Sequence, residues 1–199
     1  MKFLNYQNIK KEFSVIALAK FSLFFIMTIP LAQAKFMLEP TITYSQGSFS
    51  VADRSGDFNG KTFGLRTGYL GQYFMAGLSI EKGQYFYDDT LTTNSYEQYD
   101  GGGIGTFIGF HFLDRFRILT SYMNSSLEPI DNNSTRFFGQ YVSLSLGYRI
   151  YNGLMLNYTE FRNQYTQIED DDTGKTEGLT KNIRESGGNL SLSYILAFE

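Results

Sequence analysis

The chain has 199 residues and a formal net charge of −3, from 17 Lys and Arg against 20 Asp and Glu, and it contains no cysteine. The acidic balance makes nucleic acid an unsuitable partner, and the lack of cysteine removes disulfide scaffolds, thiol nucleophiles and thiolate metal sites together. Aromatic residues reach 17% while charged residues stop at 19%, and 20 glycines stand against 3 prolines, a mixture poor in helix-surface residues and rich in strand formers and turn glycine.

Residues 1–34 have the three parts of a secretory signal. Lys2, Lys10, Lys11 and Lys20 form a basic front, an apolar run from Phe21 to Leu31 follows, and Ala32-Gln33-Ala34 ends it. The run is too short to span a bilayer as a helix, so cleavage after Ala34 is expected, leaving a single domain over 35–199. Cleavage would take away four Lys and one Glu, leaving 13 basic and 19 acidic residues, a net charge of −6. No later segment is long and apolar enough for a membrane helix, so a membrane-embedded form would have to be a closed barrel.

Apolar and polar residues alternate at regular intervals along 35–199. Leu38, Pro40, Ile42 and Tyr44 mark a first strand; Phe63, Leu65, Thr67 and Tyr69 a second; and Phe74, Ala76, Leu78 and Ile80 a third. The fourth carries Ile104, Ile108, Phe110 and Phe112 against glycine-rich positions, and the fifth, after a turn at Asp114-Arg115, carries Phe116, Ile118, Thr120 and Tyr122. Phe138 to Ile150 is the sixth, Asn152-Gly153 turns it into a seventh with Leu154, Leu156 and Tyr158, and Leu190 to Phe198 is the eighth.

The connections alternate between turns of a few residues and long polar stretches, approximately Gln46 to Gly60, Asp88 to Asp100, Ser125 to Arg136 and Asn163 to Ile183. A sandwich leaves both ends free to vary, whereas a bacterial outer-membrane barrel has short periplasmic turns and longer outer loops. The fold expected is therefore all-β, a transmembrane eight-stranded antiparallel up-and-down β-barrel following a cleaved signal peptide.

These features resemble the small eight-stranded outer-membrane barrel proteins of Gram-negative bacteria, similar to the membrane domain of outer membrane protein A and to outer membrane protein X. The resemblance covers the mature chain as architecture. Its terminal Leu192, Tyr194, Leu196 and Phe198 look like the family's carboxy-terminal insertion signal, with Glu199 following the usual final aromatic. By the same resemblance the partners are outer-membrane lipid and lipopolysaccharide, the barrel-insertion machinery during biogenesis, and a host or surface ligand at the outer loops; a monomer is expected, without cofactor.

The outward parity predicts two aromatic girdles, Tyr69, Phe74, Phe112, Phe116, Tyr148 and Phe198 at the turn end, and Tyr44, Phe63, Tyr122, Phe138 and Tyr158 at the loop end. The inward parity is small and polar, as an eight-stranded barrel without an open pore requires. On it lie Glu39, Arg66, Glu81, His111, Arg117 and Arg149, expected to form an interior polar network in which the arginines pair with Glu39, with Glu199 or with neighbouring hydroxyls.

His111, the sole histidine, reads as a member of that network and not as a catalyst, because a general base needs a positioned nucleophile and an orienting group. Barrels of the resembling group that modify lipid A place His and Ser near the outer surface, and this chain has no histidine there. Glu169-Asp170-Asp171-Asp172 lacks the spacing of a calcium loop and reads as a solvated acidic tip. The function expected is structural, adhesive or surface-interacting, carried by the four outer loops, without enzymatic chemistry. Two alternatives are a soluble exported barrel binding an apolar ligand, with the apolar parity turned inward, and, less favoured, a lipid A-modifying enzyme.

Overall fold

The structure, a computed structural model, describes residues 35–52, 54–88, 96–113, 115–130, 135–170 and 173–198. The predicted signal segment, residues 1–34, and Glu199 lie outside the described residues. The strands are β1 (Lys35–Val51), β2 (Arg54–Leu70), β3 (Phe74–Asp88), β4 (Tyr96–Phe112), β5 (Phe116–Pro129), β6 (Thr135–Tyr151), β7 (Leu154–Asp170), β8 (Lys175–Tyr194) and the short β9 (Leu196–Phe198). β9 continues the line of β8 after a break at Ile195, whose N–H donates to the Gly153 carbonyl at 2.9 Å. Counted as spans, the described strands are eight.

Every neighbouring pair is antiparallel, and β1 bonds to β2 on one side and to β8 and β9 on the other, so the sheet closes on itself. Following partners around the ring from Thr41 leads through Gly64, Glu81, Gly103, Ser125, Gly139, Tyr165 and Ile183 back to Val51, ten residues further along β1. A stagger of that size over eight strands corresponds to a strand tilt of about 40°.

On β1 the residues from Phe36 to Tyr44 present Phe36, Leu38, Pro40, Ile42 and Tyr44 outward. The equivalent stretches of the other strands do the same with Leu78 and Ile80, Ile104 and Ile108, Leu144 and Leu146, and Leu190 and Leu192. At that tilt the nine residues cover an axial height of about 20 Å, which with their side chains matches the ~25 Å apolar band of a membrane barrel. Ile42 is 66% exposed and Leu144 55%, so this belt is uncovered apolar surface.

Directly beyond the belt the outward positions turn polar at Gln46, Lys61, Lys82, Asn124 and Gln140. Inward positions change in the opposite sense. Within the belt they include Glu39, Thr41, Ser79, Ser121, Ser145, Asn157 and Ser191, and beyond it Phe58, Tyr87, Leu127 and Tyr165 form one packed cluster with Tyr141 and Phe161. The strands reverse their amphipathicity where lipid gives way to water.

Three expectations need correction. Of the four stretches read as polar loops, the described residues are mostly strand: β1 runs on to Val51, β2 begins at Arg54, and β7 and β8 reach Asp170 and Lys175. Above the belt both faces contain polar residues, so the alternation that marks a membrane strand fades while the backbone ladder continues. The inward face is not uniformly small, because Met37, Met75, Phe107 and Leu119 pack together inside the turn end. Phe138 stands one outward position above Gln140, beyond the loop-end girdle assigned to it. Tyr44, Phe63, Tyr122 and Tyr158 do stand at the belt's outer edge. At the turn end Phe112, Phe116 and Tyr148 form a chain of ring contacts 5.7 and 5.2 Å between centroids.

Of the Asn152-Gly153 turn, Gly153 takes a left-handed conformation, φ 89°, and an added Cβ would lie 2.7 Å from the Ile195 carbonyl oxygen, so this turn needs glycine.

Candidate functional site

Arg117, on β5, extends across the lumen to Glu39 on β1. Its two terminal nitrogens donate to the two carboxylate oxygens at 2.9 and 2.5 Å, and it also donates to Asn157 Oδ1 on β7, at 2.7 and 3.1 Å, and to Ser193 Oγ on β8 at 3.2 Å. Asn157 in turn donates to Ser191 and Ser193. Arg66, opposite Glu39 in the β1–β2 ladder, adds a third contact to the carboxylate at 3.3 Å. Glu39 and Arg117 are 0% and 1% exposed, so in this lumen each charge depends on the other for compensation. Gly147 makes room for the crossing guanidinium: a Cβ there would lie 2.8 Å from Arg117 Nε.

The other predicted members do not join this cluster. His111 sits beside Arg117 in the β4–β5 ladder with Nε2 buried and unpartnered, and Arg149 Nε is likewise unpartnered. Glu81 lies at the belt's outer edge and lines a cavity of about 20 Å³ together with Tyr85, Asn189 and Glu185, a space for about one water. Leu192, Tyr194, Leu196 and Phe198 all point outward to the belt surface, and the Phe198 ring lies 6.2 Å from Phe36.

A second polar group, Glu185, was not singled out in the sequence. It lies inside the barrel above the belt, where Tyr87 donates a short hydrogen bond to it and Asn163 Nδ2 donates at 3.1 Å; Asn163 Oδ1 accepts from Ser125 at 2.7 Å. Burial pushes the Glu185 carboxyl up to about 7, against the hydrogen bonds that favour its charged form. Its only sequence signal is parity: the polar residues around it hide the inward position. The lumen is therefore filled in three layers, the apolar turn end, the Glu39–Arg117 layer and the aromatic outer end, with Glu185 held in the last.

At the β7–β8 tip, Asp170 accepts from the N–H groups of Thr173 and Gly174, Gly174 having φ 64°. Asp171 and Asp172 lie outside the described residues. Among the described residues no group of three or more His, Asp or Glu is placed to hold a metal ion.

The sequence matches no protein-family model and no curated protein. Solved structures do match. Neisserial surface protein A superposes with a TM-score of 0.51 at 12% identity, covering 79% of this chain and 96% of that one. Ail, the attachment invasion locus protein of Yersinia pestis, superposes with a TM-score of 0.50 at 7% identity, covering 80% and 98%. The fold is that of the small outer-membrane β-barrels. At such identities the likeness establishes fold alone. The uncovered apolar belt, of bilayer height and with polar residues on its inner side, places this barrel in the outer membrane and is the inverse of what a soluble barrel with an apolar ligand cavity requires.

Proposed function

We propose that this small outer-membrane barrel is non-conducting and acts by presenting its four outer hairpins to other surfaces. The observation that carries the reading is the contrast between a lumen filled along its length and strands that continue well past the belt, as β1 and β2 do from Gln46 to Val51 and from Arg54 to Lys61. Ordered hairpins projecting from a rigid barrel are a suitable scaffold for contact with a partner. Ail, of the same fold, is by name an attachment protein, and a second structure of it holds the heparin analogue sucrose octasulfate. The outer hairpins here are acidic on balance, with Asp57, Asp88, Asp100, Glu128, Glu169 and Asp170 among their residues, so a basic or neutral surface suits them better than a sulfated one.

The reading includes no chemical step. It is supported by His111 lying at the turn end of β4, remote from the outer leaflet. Lipid A of unchanged mass on expression would agree with it.

The test is to express the protein in a Gram-negative host that lacks it and to measure adherence to poly-lysine, to heparin-coated wells and to epithelial monolayers. Adherence to poly-lysine or to monolayers should rise, and should be lost when the tips at 51–54 and 169–176 are replaced by Gly-Ser turns in a barrel that still resists unheated detergent. Adherence that does not depend on the tips, or steady ion conductance in planar bilayers, would defeat the reading.

A further inference from the structure

Charge is unevenly placed inside the barrel. Arg66, Arg117 and Arg149 lie with Glu39 in the turn-end half, whereas Glu81 and Glu185 both line one cavity of about 20 Å³ farther out. No lysine or arginine is among the described residues lining that cavity. The cation that acts on Glu81, Arg66, is itself bonded to Glu39, and no hydrogen bond reaches the Glu81 carboxylate among the described residues. Glu185, 5% exposed, accepts from Tyr87 at one oxygen and from Asn163 at the other, and has no cationic partner among the described residues. Enclosed carboxylates of this kind need a proton or a cation for compensation.

A third acceptor stands beside them. Asn189 donates through Nδ2 to the Tyr141 hydroxyl at 3.3 Å, but its Oδ1, which also belongs to the cavity's lining residue, is shut off from solvent and accepts no hydrogen bond. Ser45, Thr62 and Ser125 add hydroxyls, and Tyr85 and Tyr165 add phenols, with no sulfur or imidazole in the lining. Carboxylate, amide and hydroxyl oxygens select a hard cation. Ca²⁺ takes such ligands at about 2.3–2.6 Å in flexible geometry, whereas Mg²⁺ keeps several waters that a one-water cavity has no room for. Two carboxylates also match a divalent charge. A water in the same place would satisfy Asn189 and leave both carboxylates uncompensated.

There is a path of entry. Glu81, Gly102, Ser125 and Ser126 line both this cavity and the groove of about 880 Å³ on the outside of β3, β4 and β5, and the run Gly101-Gly102-Gly103 leaves that part of the wall without side chains.

We propose that the outer half of the lumen holds one calcium ion, ligated by the carboxylates of Glu81 and Glu185 and by Asn189 Oδ1, which ties β3 to β8 across the interior. The site is separate from the exposed acidic residues Glu169 and Asp170 and from the other hairpin tips, so it can hold or fail apart from the adherence reading.

The test uses the whole barrel in non-ionic detergent, stripped with chelator and titrated with Tb³⁺, which occupies calcium sites and emits when excited through a nearby tyrosine. Emission should saturate at one Tb³⁺ per barrel and be displaced by Ca²⁺ but not by the same concentration of Mg²⁺, and native mass spectrometry should show one retained Ca²⁺. Glu81→Gln and Glu185→Gln should each weaken binding about tenfold or more, and Asn189→Leu should weaken it while Asn189→Asp keeps it. Glu169→Gln with Asp170→Asn should leave it unchanged. A heat-shifted gel band confirms that each variant is folded. Absence of tyrosine-excited emission in folded wild type, which means water alone in the cavity, would overturn the proposal. So would equal displacement by Mg²⁺, unchanged binding in folded Glu81→Gln, or loss of binding in the Glu169 and Asp170 variant.

Discussion

Glu39 and Arg117, 78 positions apart in the chain, meet in the lumen through two hydrogen bonds of 2.9 and 2.5 Å, with neither side chain reached by solvent. Four spans contribute to that contact, because Asn157 and Ser193 hold the same guanidinium from β7 and β8. The pair therefore reports on closure of the whole ring and not on any one hairpin.

Glu39→Ala leaves Arg117 buried, and Arg66 half-buried, without their carboxylate, and the loss is expected to be about 3–5 kcal/mol. Glu39→Gln keeps one acceptor and should lose less. Urea unfolding of the barrel in detergent micelles, followed by the heat-shifted gel band, measures both. A Glu39→Ala barrel as stable as wild type would show that the arginines find other partners.

Leu192 faces outward near the middle of the belt, 50% exposed, whereas Gln46 is the first outward residue of β1 above it. Leu192→Arg should destabilise the barrel in phospholipid vesicles by about 2–4 kcal/mol, and Gln46→Arg by about 0–1 kcal/mol. Equal effects at the two sites would place the bilayer elsewhere on the barrel.

Glu185 gives the outer half a pH dependence. Its carboxyl is raised by burial from the ordinary 4.5 to about 7, so between those values the folded barrel binds more protons than the unfolded chain. Stability is then greatest at the acid end of the window and falls as pH rises through about 7. The thermal midpoint in detergent should drop between about pH 5 and about pH 8 in wild type, and Glu185→Gln should flatten that drop. A midpoint that rises over the same range would contradict the sign.

Truncation after Tyr194 removes β9, which pairs Leu196, Ala197 and Phe198 with Leu38, Met37 and Phe36. If those residues act only in closure, refolding of the purified chain into micelles and assembly in cells should suffer together. If Leu196 and Phe198 also serve as an insertion signal, Phe198→Ala should impair assembly in cells while refolding in micelles is nearly normal. Normal assembly in cells by Phe198→Ala removes the signal role.

Much of this protein was legible one residue at a time. Alternation from Leu38 to Tyr44, from Phe138 to Ile150 and from Leu190 to Phe198 determined which side chains face lipid, because a strand's period of two fixes the face once one position is assigned. The Asn152-Gly153 turn was readable for the same local reason. What could not be read was how far the strands extend, since at Gln46 to Val51 the outward residues are polar, the inward ones mixed, and the ladder that orders them is bonded to chain more than 100 residues away on β8. The lumen was decided by tertiary structure in the same way. Parity placed Glu39, Arg66, Arg117, Glu81 and Arg149 inside, but the ten-residue stagger of the closed ring determines which of them share a level, joining Arg117 to Glu39 and leaving Glu81 at the outer edge and Arg149 near the turns.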